Sequence, residues 1–299
     1  MRIGIDLGGT KNELIVLDGV GNERLRLRRD TPKGDYPATI EQIAALVRQA
    51  ELEVGRKCSV GIGTPGAPSQ VDGRMKNCNS TWLNGQLLQS DLEALLTRPI
   101  RICNDANCFA LSEAVDGAAA GSDVVFGVIV GTGCGGGIVV HGAPLSGANA
   151  IAGEWGHNPL PWPTADELPG PPCYCGKQGC IETWLSGPGM ALDHYRATGI
   201  ELTALTIAEL AASGDADCLA TLERYCERMA KSLAQAINLL DPEAIVLGGG
   251  LSNIELLYRE VPARWGRYVF SDSVRTQLLP PKFGDSSGVR GAAWLWGQA

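Results

Sequence analysis

Apolar and polar residues alternate from the second residue of the chain. In Arg2-Ile3-Gly4-Ile5-Asp6-Leu7 the side chains of Ile3, Ile5 and Leu7 share one face, the two-residue period of a strand. Gly8-Gly9-Thr10-Lys11 interrupts the run and Leu14-Ile15-Val16-Leu17 resumes it, so strand, glycine turn and strand predict a hairpin. Leu25 and Leu27 alternate with Arg24, Arg26 and Arg28, which predicts a half-exposed third strand. The period then changes. Ile40, Ile43, Ala44, Val47 and Ala50 recur at helical spacing between Thr39 and Glu53. A short strand, Ser59 to Gly63, ends in the Pro65-Gly66 turn. A helix around Asp91 to Leu96 leads to the strand Ile100 to Cys103. Asn104-Asp105-Ala106-Asn107 then opens a helix with Phe109, Ala110, Leu111 and Ala114 on its packed face.

The strand-and-glycine pattern returns after the alanine- and glycine-rich stretch from Gly117 to Gly121. Val124 to Val130 reads as a strand, ends in Gly131-Thr132-Gly133, and continues past Gly135-Gly136-Gly137 into Ile138-Val139-Val140. A glycine- and proline-rich irregular stretch runs to about residue 189. Tyr225, Met229, Leu233, Ile237 and Leu240 then mark a helix from Glu223 to Leu240, ended by Asp241-Pro242. Ala244 to Leu247 is a buried-strand pattern followed by Gly248-Gly249-Gly250. Leu251 to Arg259 begins a helix, and a last capped helix follows Asp285.

Three strand-then-glycine units predict a duplicated fold that grips a nucleotide from several sides. Bare glycine backbone lets N–H groups approach an anion closely. Thr10 adds a hydroxyl donor, and Asp6 places a carboxylate where a hydrated Mg²⁺ would sit beside phosphates. An ordinary hairpin with glycines at positive φ is the plainer alternative. The spacing is not that of a P-loop or a dinucleotide fingerprint, since a strand follows the glycines where a helix should. Asp105 lies at the carboxyl end of a strand, where ligands collect in open α/β sheets, and could equally cap the helix that follows. In the loop Asn77 to Gly85 the asparagine amides suit sugar hydroxyls or Asx turns.

The 299 residues are 44% hydrophobic and 19% charged, which suits a globular protein of two domains. An excess of 33 acidic over 25 basic residues, a formal charge of −8, argues against a nucleic-acid or membrane partner. No apolar run of about 18 residues is present and strand patterning begins at Arg2, so the expectation is a cytoplasmic protein without a signal peptide. Ten cysteines in such a chain are expected as thiols or metal ligands. Cys173, Cys175 and Cys180 cluster downstream of His157 and match a Cys₃His zinc site, which is closed and therefore structural. It would pin a proline-rich segment; three unrelated thiols are the alternative. Glu154 and Glu182 flank this segment, either as ligands for sugar hydroxyls or as ordinary surface carboxylates.

Together these motifs resemble the ROK family of sugar kinases, repressors and open reading frames. The resemblance is carried by Ile5 to Lys11, Asn104 to Asn107, Gly131 to Gly133, Gly153 to His157, the Cys173/Cys175/Cys180 cluster with Glu182, and Gly248 to Gly250, in family order and over nearly the whole chain. Asn79 to Gly85 and Gly153 to Pro161 look closest to bacterial fructokinases of the manno(fructo)kinase type. The resemblance implies an actin-like, hexokinase-like (ribonuclease H-like) duplicated α/β fold with an active-site cleft. Its N-terminal domain would be residues 1–117 with 286–299, and its C-terminal domain 118–285 would carry the zinc segment 153–182.

The resemblance further implies an ATP-dependent kinase for the 6-hydroxyl of fructose, and of mannose as a second substrate. Glucose, N-acetylglucosamine or N-acetylmannosamine are alternatives, and a sugar-binding sensor is the non-enzyme alternative. Asp105 would be the general base. Asp6, Gly8, Gly9, Thr10, Lys11, Gly131, Thr132 and Gly133 would serve ATP phosphates and Mg²⁺, with Gly248, Gly249 and Gly250 against the adenosine. Gly66, Asn79, Asn104, Glu154, His157 and Glu182 would surround the sugar, His157 with one ring nitrogen on zinc and the other on a hydroxyl. Family members often form homodimers, though nothing in this sequence fixes the assembly. The helix-turn-helix of the family's repressors is not expected, because the Ile3-to-Lys11 motif opens the sequence.

Overall fold

The computed structural model describes residues 1–297. Its first strand, β1 (Arg2–Leu7), pairs antiparallel with β2 (Lys11–Leu17), Asp6 standing opposite Glu13. β3 (Glu23–Asp30) continues the antiparallel run at one edge. On the other side β4 (Ser59–Thr64) and β7 (Arg101–Asn104) add in parallel, giving the order β3-β2-β1-β4-β7. Helix α1 (Tyr36–Val54) starts where Asp35 accepts from the Ala38 N–H at 2.9 Å and Pro37 presets the first turn. It stops at Gly55, at φ 69°. The apolar stripe read from the sequence is the buried one: Ile43, Ala44, Val47 and Ala50 pack with Ile3, Ile5 and Leu7 and with α2 (Leu88–Leu96). A small hairpin of β5 (Ala67–Pro68) and β6 (Met75–Lys76) follows β4.

The opposite face of this sheet is closed by α3 (Asp105–Val115) and by the last helix of the chain, α9 (Ser287–Trp294). Their approach is set by missing side chains. A Cβ on Gly4 would lie 2.1 Å from the Val289 carbonyl oxygen and one on Gly61 1.9 Å from that of Ala292. One on Gly291 would lie 1.6 Å from that of Cys108. Backbone therefore packs directly on backbone at three points.

The second sheet has the order β10-β9-β8-β11-β12, from β8 (Val124–Val130), β9 (Cys134–Val140), β10 (Ala143–Pro144), β11 (Ala244–Gly248) and β12 (Gln277–Leu279). β11 runs parallel to both β8 and β12, as β4 does to β1 and β7, so the two sheets repeat one plan. Of the helices of this half, α4 (Glu182–Leu185), α5 (Gly187–Thr198), α6 (Ala204–Ala212) and α8 (Leu256–Trp265) all pack on α7 (Ala216–Leu240). α7 begins at an Asp215 cap, about two turns earlier than its apolar spacing predicts.

α7 also buries charge. Arg228 and Lys231 both reach Glu167, at 2.8 and 2.5 Å, and Arg228 reaches Asp193 at 2.7 Å while lying 4.4 Å over the Trp184 ring. These partners hold the Glu167 carboxyl down, at about 2, against the upward pull of burial. The network ties the proline-rich stretch to α7.

By contacts the chain forms two compact units. One comprises Met1–Gly121, Gly137–Ala152 and the chain from Asp285; the other comprises Ser122–Gly136 and Gly153–Gly284. The expected boundaries differ from this over 118–121, over 137–152 and at Asp285; within 137–152, a Cβ on Gly137 would lie 2.4 Å from the Ala106 carbonyl oxygen of the same unit. Among the described residues no helix is long and apolar enough to cross a membrane.

Candidate active site

In the first unit the glycine turn is closed by its own Gly8 and Lys11 and braced by Thr31 and Asn12, which the sequence did not single out. The Gly8 N–H donates to the Lys11 carbonyl at 3.1 Å, and Thr31 Oγ1 donates to the Gly8 carbonyl at 2.8 Å. Fully buried Asn12 lies 3.1 Å from the same hydroxyl and donates to Gln42 at 2.8 Å. The glycines serve close approach rather than positive φ. A Cβ on Gly8 would sit 2.6 Å from the Lys11 carbonyl oxygen, and one on Gly9 3.1 Å from Ser80 Oγ. Thr10 and Lys11 are exposed at the turn.

Asp6 follows Ile5 on β1, and its carboxyl is pushed up to about 6, first by burial, then by the charges of Asp105 and Glu13. Two acidic groups from the ends of β1 and α3 thus act on each other, a donor set that suits a hydrated dication. The raised value carries a stability consequence. In the unfolded chain Asp6 ionises near the ordinary aspartate value of 3.8, so the fold opposes its ionisation. That penalty is absent below this pH, grows as pH rises to about 6, and is complete above it. Asp6→Asn should therefore raise the thermal midpoint of ligand-free protein at pH 8. The gain is bounded at roughly 3 kcal/mol and vanishes near pH 4. Melting curves at the two pH values check this; an equal shift at both would contradict it.

Asn104 caps α3, its Oδ1 accepting from the Ala106 N–H at 2.9 Å; Asp105, in the first turn, accepts from the same N–H at 2.7 Å. The cap role therefore falls on Asn104 as well as Asp105, leaving Asn104 its amide nitrogen as donor. In the asparagine-rich loop the Asx role belongs to Asn84, which bonds the Cys78 N–H and carbonyl at 2.9 and 3.0 Å, while Asn79 is exposed. Gly66 is needed where it stands, for a Cβ would meet the Lys76 carbonyl oxygen at 2.3 Å.

In the second unit a cavity of about 1320 Å³ is lined by Gly131, Thr132 and Gly250, by Gly187 and Pro188 at the start of α5, and by apolar residues of α6 such as Leu205. Two of the three predicted glycine clusters meet there. Gly248 and Gly249 do not line it: Gly248 is buried in β11, and Gly249 (φ 79°) passes the Val130 carbonyl, 2.5 Å from a Cβ position. The turn after β8 closes on itself, the Gly131 N–H donating to the Gly133 carbonyl at 3.0 Å.

His157, Cys173, Cys175 and Cys180 converge, their ligand atoms all within 4.8 Å of one another. Cys175 Sγ lies 3.6 Å from Cys180 Sγ, and Cys173 Sγ 3.6 Å from His157 Nδ1. Zinc–sulfur bonds of about 2.3 Å on a tetrahedron give edges of roughly 3.6–3.8 Å, so the set fits the metal. A disulfide needs sulfurs about 2 Å apart and does not fit. Burial and the neighbouring thiols push the Cys180 thiol well up.

The other ring nitrogen of His157 is engaged. Nε2 lies 2.9 Å from the Tyr174 hydroxyl, with the two rings edge to face at 5.1 Å. The expectation that Nε2 meets a sugar hydroxyl is thus altered: Tyr174, between two ligand cysteines, already occupies that position. Glu154 is exposed. Its neighbour Trp155 donates to the Gly135 carbonyl at 3.0 Å and packs edge-on against Phe126. Glu182 opens α4 and accepts from the Cys134 N–H at 2.9 Å.

The ROK family model matches residues 2–299. The chain belongs to the ROK family. This ROK-family chain is 41% identical to an N-acetyl-D-glucosamine kinase of Yersinia pseudotuberculosis, over 99% of itself and 98% of that protein. It is equally identical, at 41%, to one of Photobacterium profundum, over 99% of each chain. Its fold matches the crystal structure of a ROK hexokinase from Thermus thermophilus with a TM-score of 0.87 and 30% identity, over 98% and 97% of the two chains. A ROK family glucokinase from Streptomyces griseus, solved with glucose and AMPPNP, matches with a TM-score of 0.75 and 29% identity, over 98% of each chain. The expected hexokinase-like, actin-like two-domain fold is the observed one, and by reaction class this ROK-family chain is a sugar kinase.

Proposed function

We propose that this chain is an ATP-dependent N-acetylglucosamine kinase that phosphorylates the 6-hydroxyl of its sugar. The observation that carries the choice of sugar is 41% identity, along essentially the whole chain, to proteins of that name. Those names favour the N-acetylglucosamine alternative over the fructose reading of the motifs.

Asp105 accepts the proton of the attacking hydroxyl. Its charge acts on the Asp6 carboxyl, so the base stands beside the group that would help hold the metal and phosphates. Bound Mg²⁺ would supply charge compensation for the transferring phosphoryl group, held with Asp6. The N–H groups of Gly9 and Thr10, with Lys11, serve phosphate oxygens, as do those of Thr132 and Gly133, while the Gly8 and Gly131 N–H groups close the two turns. Gly250 and the apolar α6 wall of the cavity receive the nucleoside. Asn79, Asn104, Glu154 and Glu182 are the sugar's hydrogen-bonding groups, with Gly66 allowing the approach. His157, Cys173, Cys175 and Cys180 would hold a structural Zn²⁺, and with it the segment that carries Glu154 and Glu182.

A coupled ADP-release assay with ATP and Mg²⁺ tests the reading against N-acetylglucosamine, N-acetylmannosamine, glucose, mannose and fructose. The highest kcat/KM is expected for N-acetylglucosamine, by about tenfold or more if a buried polar contact reads the acetamido group. A preference for fructose and mannose would restore the fructokinase reading, and binding without turnover would favour a sensor.

A further inference from the structure

The short helix α4 and the start of α5 are both fastened at the Gly131–Gly133 turn. At the start of α5 the Gly187 N–H donates to the Gly131 carbonyl at 2.7 Å; at the start of α4 Glu182 Oε2 accepts at 2.9 Å from the N–H of Cys134, the residue after the turn. Gly133 makes the second contact feasible, since a Cβ there would lie 2.8 Å from Glu182 Oε2. Glu182 follows Cys180 by two residues, and Ile181 between them donates to the Asn158 carbonyl at 2.9 Å, next to His157. The ligand residues His157 and Cys180 therefore fix the backbone that leads into the residue gripping the turn. Gly131 and Thr132 of that turn line the 1320 Å³ cavity. One carboxylate oxygen of half-buried Glu182 is committed to the turn, and the other is left for a second partner.

We propose that Glu182 is a positioning residue that couples the sugar to the nucleotide. Its Oε2 pins the Cys134 amide and so pre-forms the phosphate turn, while its Oε1 meets a sugar hydroxyl. The sugar half of this proposal rests on the kinase reading above; the turn half does not. A turn already held in place loses less freedom when an anion binds, which raises affinity without a new contact. A sugar that draws on the same carboxylate must change nucleotide affinity, and the nucleotide must change sugar affinity by the same factor.

Calorimetric titration of zinc-loaded protein with Mg²⁺–ADP, without sugar and with saturating N-acetylglucosamine, tests this. In the wild-type chain the sugar should shift ADP affinity at least about fivefold. Glu182→Ala should weaken sugar-free ADP binding about tenfold and abolish the shift. Glu182→Gln keeps an oxygen for the Cys134 N–H and should restore sugar-free ADP affinity. Gly133→Ala, which pushes the carboxylate away, should reproduce the loss. Wild-type ADP affinity in Glu182→Ala, or a glutamine variant as weak as the alanine one, overturns the proposal. If the alanine variant does not fold, as judged by zinc content and melting, the glutamine and Gly133→Ala titrations decide between the same outcomes. Absence of turnover on every sugar would refute the kinase reading, and the sugar-free titrations would still decide whether Glu182 pre-forms the turn.

Discussion

Asp105→Asn should lower kcat for sugar phosphorylation by about 10²–10⁴-fold while changing sugar affinity little. The substitution is close to isosteric, and an asparagine oxygen can still accept from the Ala106 N–H, as Asp105 does at 2.7 Å. Asn104 bonds the same amide at 2.9 Å, so α3 keeps its cap in any case. What disappears is basicity at one position. The hydroxyl of a sugar is a poor nucleophile until its proton has somewhere to go, and an amide cannot take it. An independent readout follows from the neighbouring carboxyl. The Asp105 charge is the second cause, after burial, of the raised Asp6 value, so the variant should titrate Asp6 below about 6. A kcat drop with that NMR shift supports the assignment; near-normal turnover removes it.

Removing the metal should have the largest effect on structure. Purified without chelator, the protein should carry about one zinc per chain through the Cys₃His set, the one such cluster among the described residues. Stripping it leaves three crowded sulfurs and a histidine with no common partner, in a segment with little regular structure of its own between His157 and Cys180. If about 4 kcal/mol is lost, at roughly 2–3 °C for each, the melting temperature should fall by about 10 °C. Amide exchange should speed up in 153–182 first. The stretch around Glu167 should hold on longest, because Arg228 and Lys231 anchor it to α7 without using the metal. Uniform exchange across the chain, or metal analysis finding no zinc, would contradict this picture.

Much of the fold could be read from periodicity. The two-residue alternation through Ile3, Ile5 and Leu7 and the helical spacing from Ile40 to Ala50 name the residues that form the first core. The glycine turns are legible as turns, but positive φ is not what requires Gly8 and Gly9. Gly8 and Gly9 are required by a carbonyl and a hydroxyl that come close in space, and no local pattern announces Thr31 or Ser80. Helices α4, α5 and α6 were hidden because their flanks are rich in glycine and proline, and because the contacts that fix them, such as Gly187 to Gly131, span more than fifty residues. The metal cluster was legible because its sulfurs are near in sequence. The hydrogen bond between Tyr174 and His157 was not, since an aromatic between two cysteines has no pattern that aims its hydroxyl. The choice among hexoses was beyond reach, because it depends on the shape left by side chains from distant stretches.

The packing of α9 has a consequence for synthesis. β1 is made long before α9, yet the two meet through bare backbone at Gly4, and the Arg2 guanidinium lies 4.7 Å over the Trp294 ring and bonds the Gly297 carbonyl at 3.1 Å. The face of β1 and β4 that α9 covers must wait uncovered while nearly three hundred residues emerge. A growing chain therefore completes its second unit before its first. A polypeptide stopped short of Ser287 would leave the face of β1 and β4 around Gly4 and Gly61 without the backbone that closes it for as long as it lasted.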